Sequence, residues 1–202
     1  MGIVDLSPFE KVIIESDQNQ LFYDTLALNK IWLENYVTNG GVLEIHAADG
    51  GSNGGLWDEL YLMPGGINHT NILTDNVTIN LPLHPILSYP NNISDNELDY
   101  WGLSAHGYFN TYPGTSKAIL LDGNSLNPVF IELNYGKGTI LITMQPLEWA
   151  YDRGDSNFLE NVILYIPEVV STEPRIPGYS LYILIGIVCV ISVILIKKSE
   201  LN

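Results

Sequence analysis

The chain has almost no cysteine and little positive charge. Its one cysteine, Cys189, stands in an apolar run near the end. No disulfide therefore informs on compartment, and the folded domain has no cysteine nucleophile. Only 8 Lys and Arg stand against 23 Asp and Glu, a formal charge of −15. No basic cluster exists to neutralise phosphates, which excludes nucleic acid as a partner. The acidity itself is read as a solubility feature. No basic start and no apolar run precede Lys11, so no signal peptide is read there. None of the 4 histidines has a partner at close ligand spacing such as His-x-x-x-His, and neither a metal nor a cofactor is expected.

What is present fits one domain with appendages in 202 residues, with enough apolar content for a core. The chain is organised around residues 31–51, IWLENYVTNGGVLEIHAADGG. Ile31, Leu33, Tyr36 and Val37 are spaced as the apolar face of a helix. Asn39-Gly40-Gly41 stops that helix. Val42–Ile45 is then a buried strand that runs into a polar, glycine-rich loop starting at His46. A helix, a Gly-Gly stop, a buried strand and such a loop form the repeating unit of an open parallel sheet. In such sheets ligands bind outside the carboxyl ends of the strands.

The other segments are read as neighbours of this strand. Lys11–Ser16 is a Val/Ile-rich strand, adjacent and parallel to Val42–Ile45 because a helical crossover joins them. Asp17 or Asn19 caps the helix in Leu21–Asn39, which divides into one or two pieces. A short helix around Leu56–Tyr61 walls the glycine-rich loop. Asn71–Leu83 is extended, and Leu103–Phe109 and Ala118–Asp122 are strands. Pro128–Leu133 and Thr139–Met144 form a hairpin across the turn at Asn134–Gly138. Phe158–Ile166 is an amphipathic helix that closes the domain.

Three short motifs carry a resemblance. Gly40-Gly41-Val42-Leu43-Glu44-Ile45-His46-Ala47-Ala48, His84-Pro85-Ile86 followed by Asp95–Tyr100, and Tyr135–Ile140 resemble the corresponding stretches of the ThuA-like (trehalose-utilisation-like) proteins. Those belong to the class I glutamine amidotransferase-like superfamily, and the resemblance spans about Phe9 to Pro167. It implies a flavodoxin-like three-layer α/β domain at 1–167. The family's usual first strand–helix unit has no counterpart here, so the chain reads as truncated or as a reduced version of the fold. The superfamily's nucleophile stands in a Gly-x-Cys-x-Gly elbow. Here that position is His46-Ala47-Ala48-Asp49, which excludes its acyl-transfer mechanism.

Residues 168–180 form a linker, with Pro174 and Pro177 opposing regular structure. Residues 181–196 are apolar except for Gly186 and Ser192, and Lys197-Lys198 open a short basic tail at 197–202. This pattern reads as one transmembrane helix with the lipid bilayer as partner. Pro-Gly-Tyr ahead of it resembles the C-terminal tails of archaeal surface proteins. The basic end places the C-terminus in the cytoplasm and the domain outside. Sequons at Asn68, Asn76 and Asn92 suit a glycosylated exterior.

At the carboxyl edge of the sheet the expected ligand-binding residues are His46, Asp49, Trp57, His106, Glu148 and Trp149. They form a rim of His46–Gly51, Leu103–Gly107 and Pro146–Tyr151. Aromatic rings beside His, Asp and Glu suit a carbohydrate-like ligand, stacked and hydrogen-bonded. His69, inside a sequon, is expected at the surface. The reading is a membrane-anchored, extracytoplasmic, non-catalytic domain that binds carbohydrate or surface proteins. The alternatives are a sugar hydrolase or isomerase acting through His46, Asp49 and His106, and a structural surface component.

Overall fold

The first strand forms as β1 (Lys11–Ile14), and the chain then crosses through two helices rather than one. The computed structural model describes residues 4–48, 54–57, 61–99, 104–155 and 157–168. Helix α1 (Gln20–Leu28) starts where the Asn19 side chain accepts from the Phe22 N–H, so Asn19 is the cap. The break falls at Asn29, whose side chain turns back to donate to the Thr25 carbonyl at 2.8 Å. Helix α2 (Lys30–Thr38) buries Leu33, Tyr36 and Val37. Ile31 lies off that stripe and is 70% exposed, against expectation.

Strand β2 (Val42–His46) follows and is buried throughout. It pairs in parallel with β1, Lys11 opposite Val42 and Ile14 opposite Ile45. The remaining strands are β3 (Asn68–Thr74), β4 (Val77–Ile79), β5 (Ala105–Thr111), β6 (Lys117–Asp122), β7 (Pro128–Tyr135) and β8 (Gly138–Thr143). Six of them form one sheet in the order β1-β2-β8-β7-β6-β4, and β3 pairs with β5 in a separate two-stranded ribbon.

The expected flavodoxin-like parallel sheet is therefore corrected. Only β1, β2 and β8 run parallel, and β7, β6 and β4 continue the sheet antiparallel. The cause is local. Gly136-Lys137 joins β7 to β8 in a tight turn, too short for the helical crossover that a parallel neighbour needs. The α-helices are correspondingly few, with α3 (Leu147–Asp152) and α4 (Asn157–Leu164) completing the set among the described residues.

No helix among the described residues is long and apolar enough to cross a membrane; the expected transmembrane span at 181–196 lies outside them. The helix read around Leu56–Tyr61 is also largely outside them.

Glycine fixes how the sheet begins. Gly40 stops α2 at φ +115°, a conformation that side chains resist. Gly138 opens β8 so close to that corner that a Cβ would lie 2.1 Å from the Gly41 carbonyl oxygen and 2.4 Å from that of Val37. Both obstacles are backbone and cannot rotate away. Gly138→Ala is expected to cost about 1–3 kcal/mol by urea denaturation. Gly114→Ala, which meets nothing within 4 Å, should stay within about 1 kcal/mol of the native chain. Equal effects at the two sites would refute this account of the corner.

Opposite faces of the sheet carry different chemistry. Glu44 and Glu132 occupy one register row on either side of Leu141, so their side chains share a face. This face meets α4. The Lys11 ammonium, on the same face, donates to the carbonyls of Val162, Ile163 and Tyr165 at 2.7, 3.0 and 3.0 Å. These lie at the end of α4, whose own last turn has no basic residue. The sheet thus supplies the cation that a helix C-terminus favours.

Candidate functional site at the carboxyl edge

The carboxyl ends of β2 and β8 deliver a chain of alternating charges. Lys11 pairs with Glu44. Glu44 accepts from His46 Nε2 at 2.7 Å, and His46 Nδ1 bonds Glu148 at 2.6 Å. Glu148 also accepts from the Ser16 hydroxyl at 2.7 Å and the Ser16 N–H at 3.1 Å. Ser16 lies just past β1 and Glu148 in α3, so the chain ties β1, β2 and α3 together.

Burial opposes a positive His46, but the hydrogen bonds and charges of Glu148 and Glu44 outweigh it. The result is a pKa raised from 6.5 to about 9. Burial likewise opposes a charged Glu148, and the His46 bond and charge, helped by Ser16, outweigh that in turn. Its pKa falls from 4.5 to about 2. At neutral pH both ring nitrogens of His46 therefore carry protons and donate, and the four charges alternate to a sum of zero.

This arrangement constrains chemistry. A nucleophilic hydroxyl needs an imidazole lone pair beside it. Ser16 instead faces a strongly acidic carboxylate, and His46 has no lone pair to offer. The side chain of His46 is 1% exposed, so a ligand has no direct access to it.

The other expected site residues are distributed unevenly. Asp49 lies outside the described residues. Trp57 is 1% exposed and packs edge-on against Tyr23, ring centroids 6.2 Å apart, as a core filler rather than a stacking platform. Trp149 is half-buried, with the Arg153 guanidinium 4.9 Å from the centroid of its ring. His106 is half-buried on β5, and its N–H donates to the Met144 carbonyl at 2.8 Å. His69 is not at the surface as expected but 1% exposed, with Nε2 3.0 Å from the Trp57 carbonyl. Of the sequons, Asn76 and Asn92 are exposed and Asn68 is half-buried in β3.

Two of the expected rim stretches are tied to the end of β8: the Ala47 N–H donates to the Thr143 carbonyl at 2.8 Å, and the main-chain N–H of His106 donates to the Met144 carbonyl at 2.8 Å. A cavity of about 540 Å³ sits elsewhere, beneath residues 4–10 and against α2, with Phe9, Glu10, Trp32, Asn35 and Tyr36 among its walls.

Glu44 was missed as a partner of His46, and Lys11 as the partner of Glu44. The signal was present: a carboxylate in a strand buried on both faces needs a cation, and Lys11 starts the neighbouring strand. The second charged cluster, around Glu132, was missed for the same reason.

Fold and site together define an α/β domain with a mixed sheet and an ion-paired carboxyl edge. No family model matches the chain, and nothing beyond the short motifs above supports the ThuA-like or glutamine amidotransferase-like assignment. An uncharacterised protein of Clostridium acetobutylicum is 34% identical over 166 residues, which cover 80% of this chain but 16% of that protein. The chain thus spans only a small part of its relative's length. A cytoplasmic protein from Salmonella typhimurium has a similar fold, with a TM-score of 0.51 at 13% identity, covering 82% of this chain and 77% of that one. At that identity the likeness shows the fold alone. An exo-β-1,4-mannosidase from Opitutaceae bacterium strain TAV5 aligns with a TM-score of 0.47 at 13% identity, over 83% of this chain and 27% of that one.

Proposed function

We propose that this domain is a non-catalytic binding module whose working surface is the carboxyl edge of β2 and β8. The observation that carries the reading is the saturated His46: both ring nitrogens are committed to carboxylates. The best acid–base group at the edge is thereby removed from chemistry and made part of a rigid support, as binding sites require. The similarity to a short part of a much longer protein suits a module joined to other domains. The ligand class is neutral and polar, of the carbohydrate kind. The whole chain is strongly acidic, with a formal charge of −15, so an anion would be repelled.

A glycan array probed with the full-length chain tests this. Binding to neutral glycans is expected, and proton NMR of a bound glycan should show no new product over hours. Turnover of the glycan would refute the non-catalytic reading. An array with no neutral glycan retained would refute the ligand class.

A further inference from the structure

We infer that the cavity between residues 4–10 and α2 is a second binding site, and that it takes an organic cation, an ammonium group carrying alkyl carbon. The cavity lies at the amino edge of the sheet, opposite the surface proposed above. Its lining residue Glu10 leads directly into β1, and Gly41 leads directly into β2. The Val42 N–H closes the corner between those strands by donating to the Glu10 carbonyl at 3.0 Å. The two sites therefore stand or fall separately.

The cavity has the size that small ligands use. Its volume of about 540 Å³ falls within the roughly 300–1,000 Å³ of such sites. Residues 4–10 form its cover, and two aromatic side chains of α2 fasten that cover at both ends. The Trp32 indole N–H donates to the Val4 carbonyl at 3.2 Å. The Tyr36 hydroxyl lies 3.0 Å from the Phe9 carbonyl and 3.3 Å from that of Val42. Between these points the Ser7 N–H donates to the Asp5 carboxylate at 2.9 Å, and the Phe9 N–H to the Leu6 carbonyl at 3.0 Å. Specific bonds thus hold the space open.

The chemistry of the walls selects the ligand. Among the described residues no Lys, Arg or His lines the cavity. The Trp32 indole and the Tyr36 hydroxyl, two good donors, are committed to main-chain carbonyls. The walls still offer the carboxylates of Asp5 and Glu10, both on exposed residues, and the rings of Phe9, Trp32 and Tyr36. Bonds from Ser7 hold the Asp5 carboxyl below its usual range, so it stays charged. Burial, and after it the Glu10 charge, push the Tyr36 hydroxyl up, which sets that carboxylate near the ring. Aromatic faces beside carboxylates attract an ammonium ion. Val4 and Phe9 are 61% and 53% exposed, so apolar surface is open to its alkyl carbon. An anion would meet two carboxylates and no cationic partner, whereas a formal charge of −15 draws cations toward the chain.

The test uses the full chain labelled with 15N. Its four tryptophans give separate indole N–H signals, and Trp32→Phe identifies that of Trp32. Three probes are titrated separately at millimolar concentration. They are choline, Nα-acetyl-lysine amide, and dimethylbutanol, the uncharged analogue of choline with carbon in place of nitrogen. At least one of the two cations is expected to shift the Trp32 signal, and dimethylbutanol is not. A response to choline alone identifies a methylated ammonium as the ligand group, and a response to the lysine derivative alone identifies a primary one. Asp5→Asn combined with Glu10→Gln, both at exposed positions, should bind the active cation about tenfold more weakly at an unchanged melting midpoint. The inference fails if neither cation moves the signal, if dimethylbutanol binds as well as choline, or if the double variant binds unchanged. The dimethylbutanol comparison is made on the native chain, so it tests the charge without any effect on folding. None of these failures touches the carboxyl-edge reading, which the glycan array decides.

Discussion

Replacing His46 by Ala is expected to destabilise the domain by about 3–5 kcal/mol, the range for removing one partner from a buried ion pair. The loss leaves Glu44, 1% exposed, with Lys11 alone, and strips Glu148 of its cation. Lys11 cannot compensate fully because it is already held by the carbonyls at the end of α4. Urea denaturation would read the effect as a lower midpoint at an unchanged slope. The pH dependence is a sharper check. The raised pKa of His46 gives stability that is fully present below about 6.5 and is lost as pH rises through about 9. The lowered pKa of Glu148 gives stability present above 4.5 and lost as pH falls through about 2. The two windows overlap between 4.5 and 6.5, where the cost of His46→Ala should be largest. Above pH 9 the gap should narrow to what the buried neutral imidazole contributes by packing and its remaining hydrogen bond. A gap of constant size across that range would mean that His46 contributes by packing and not by charge.

The same residue shows where sequence reading stops. Strand periodicity and the Gly-Gly stop located β2, and the helical crossover correctly paired it with β1. The tight turn at Gly136-Lys137 correctly implied a hairpin. Combining these would have required an antiparallel half of the sheet, because the hairpin reverses the chain beside a strand already parallel to β2. The family resemblance pulled the reading toward a parallel-rich, flavodoxin-like sheet instead. At the site, His46 and Glu148 were both singled out, but as separate groups facing a ligand. Their contact spans 102 positions, and no local pattern encodes such a distance. The same holds for Trp57: a tryptophan in a glycine-rich stretch reads equally as a wall or as core, and only its packing on Tyr23 decides.

The second large effect is expected at Glu132, on the same face of the sheet. It is 2% exposed, yet one carboxylate accepts from three groups. Tyr165 Oη donates at 2.7 Å, His84 Nε2 lies at 3.2 Å, and Lys117 forms an ion pair. His84 Nδ1 accepts from the Ile86 N–H at 3.4 Å, so Nε2 is the nitrogen that carries the proton toward Glu132. Burial raises the carboxyl's pKa, but these three donors and the Lys117 charge bring it down from 4.5 to about 2. Glu132→Ala would leave the Tyr165 hydroxyl and the His84 N–H beneath α4 without an acceptor. Each such orphan costs about 1–3 kcal/mol, so a total of about 2–6 kcal/mol is expected. Lys117→Met should cost under about 1 kcal/mol, because the Lys117 side chain is 52% exposed and shares its charge with water. Glu132→Gln, which keeps an acceptor for both donors, should fall between them. The lowered pKa makes this stability present above 4.5 and lost as pH falls through about 2, so the cost of Glu132→Ala should shrink in acid. Urea midpoints of the three variants above pH 4.5 and near pH 2 decide the matter. If Lys117→Met costs as much as Glu132→Ala, the carboxylate works mainly as an ion-pair partner, and the buried hydrogen bonds to Tyr165 and His84 are not what fastens α4 to the sheet.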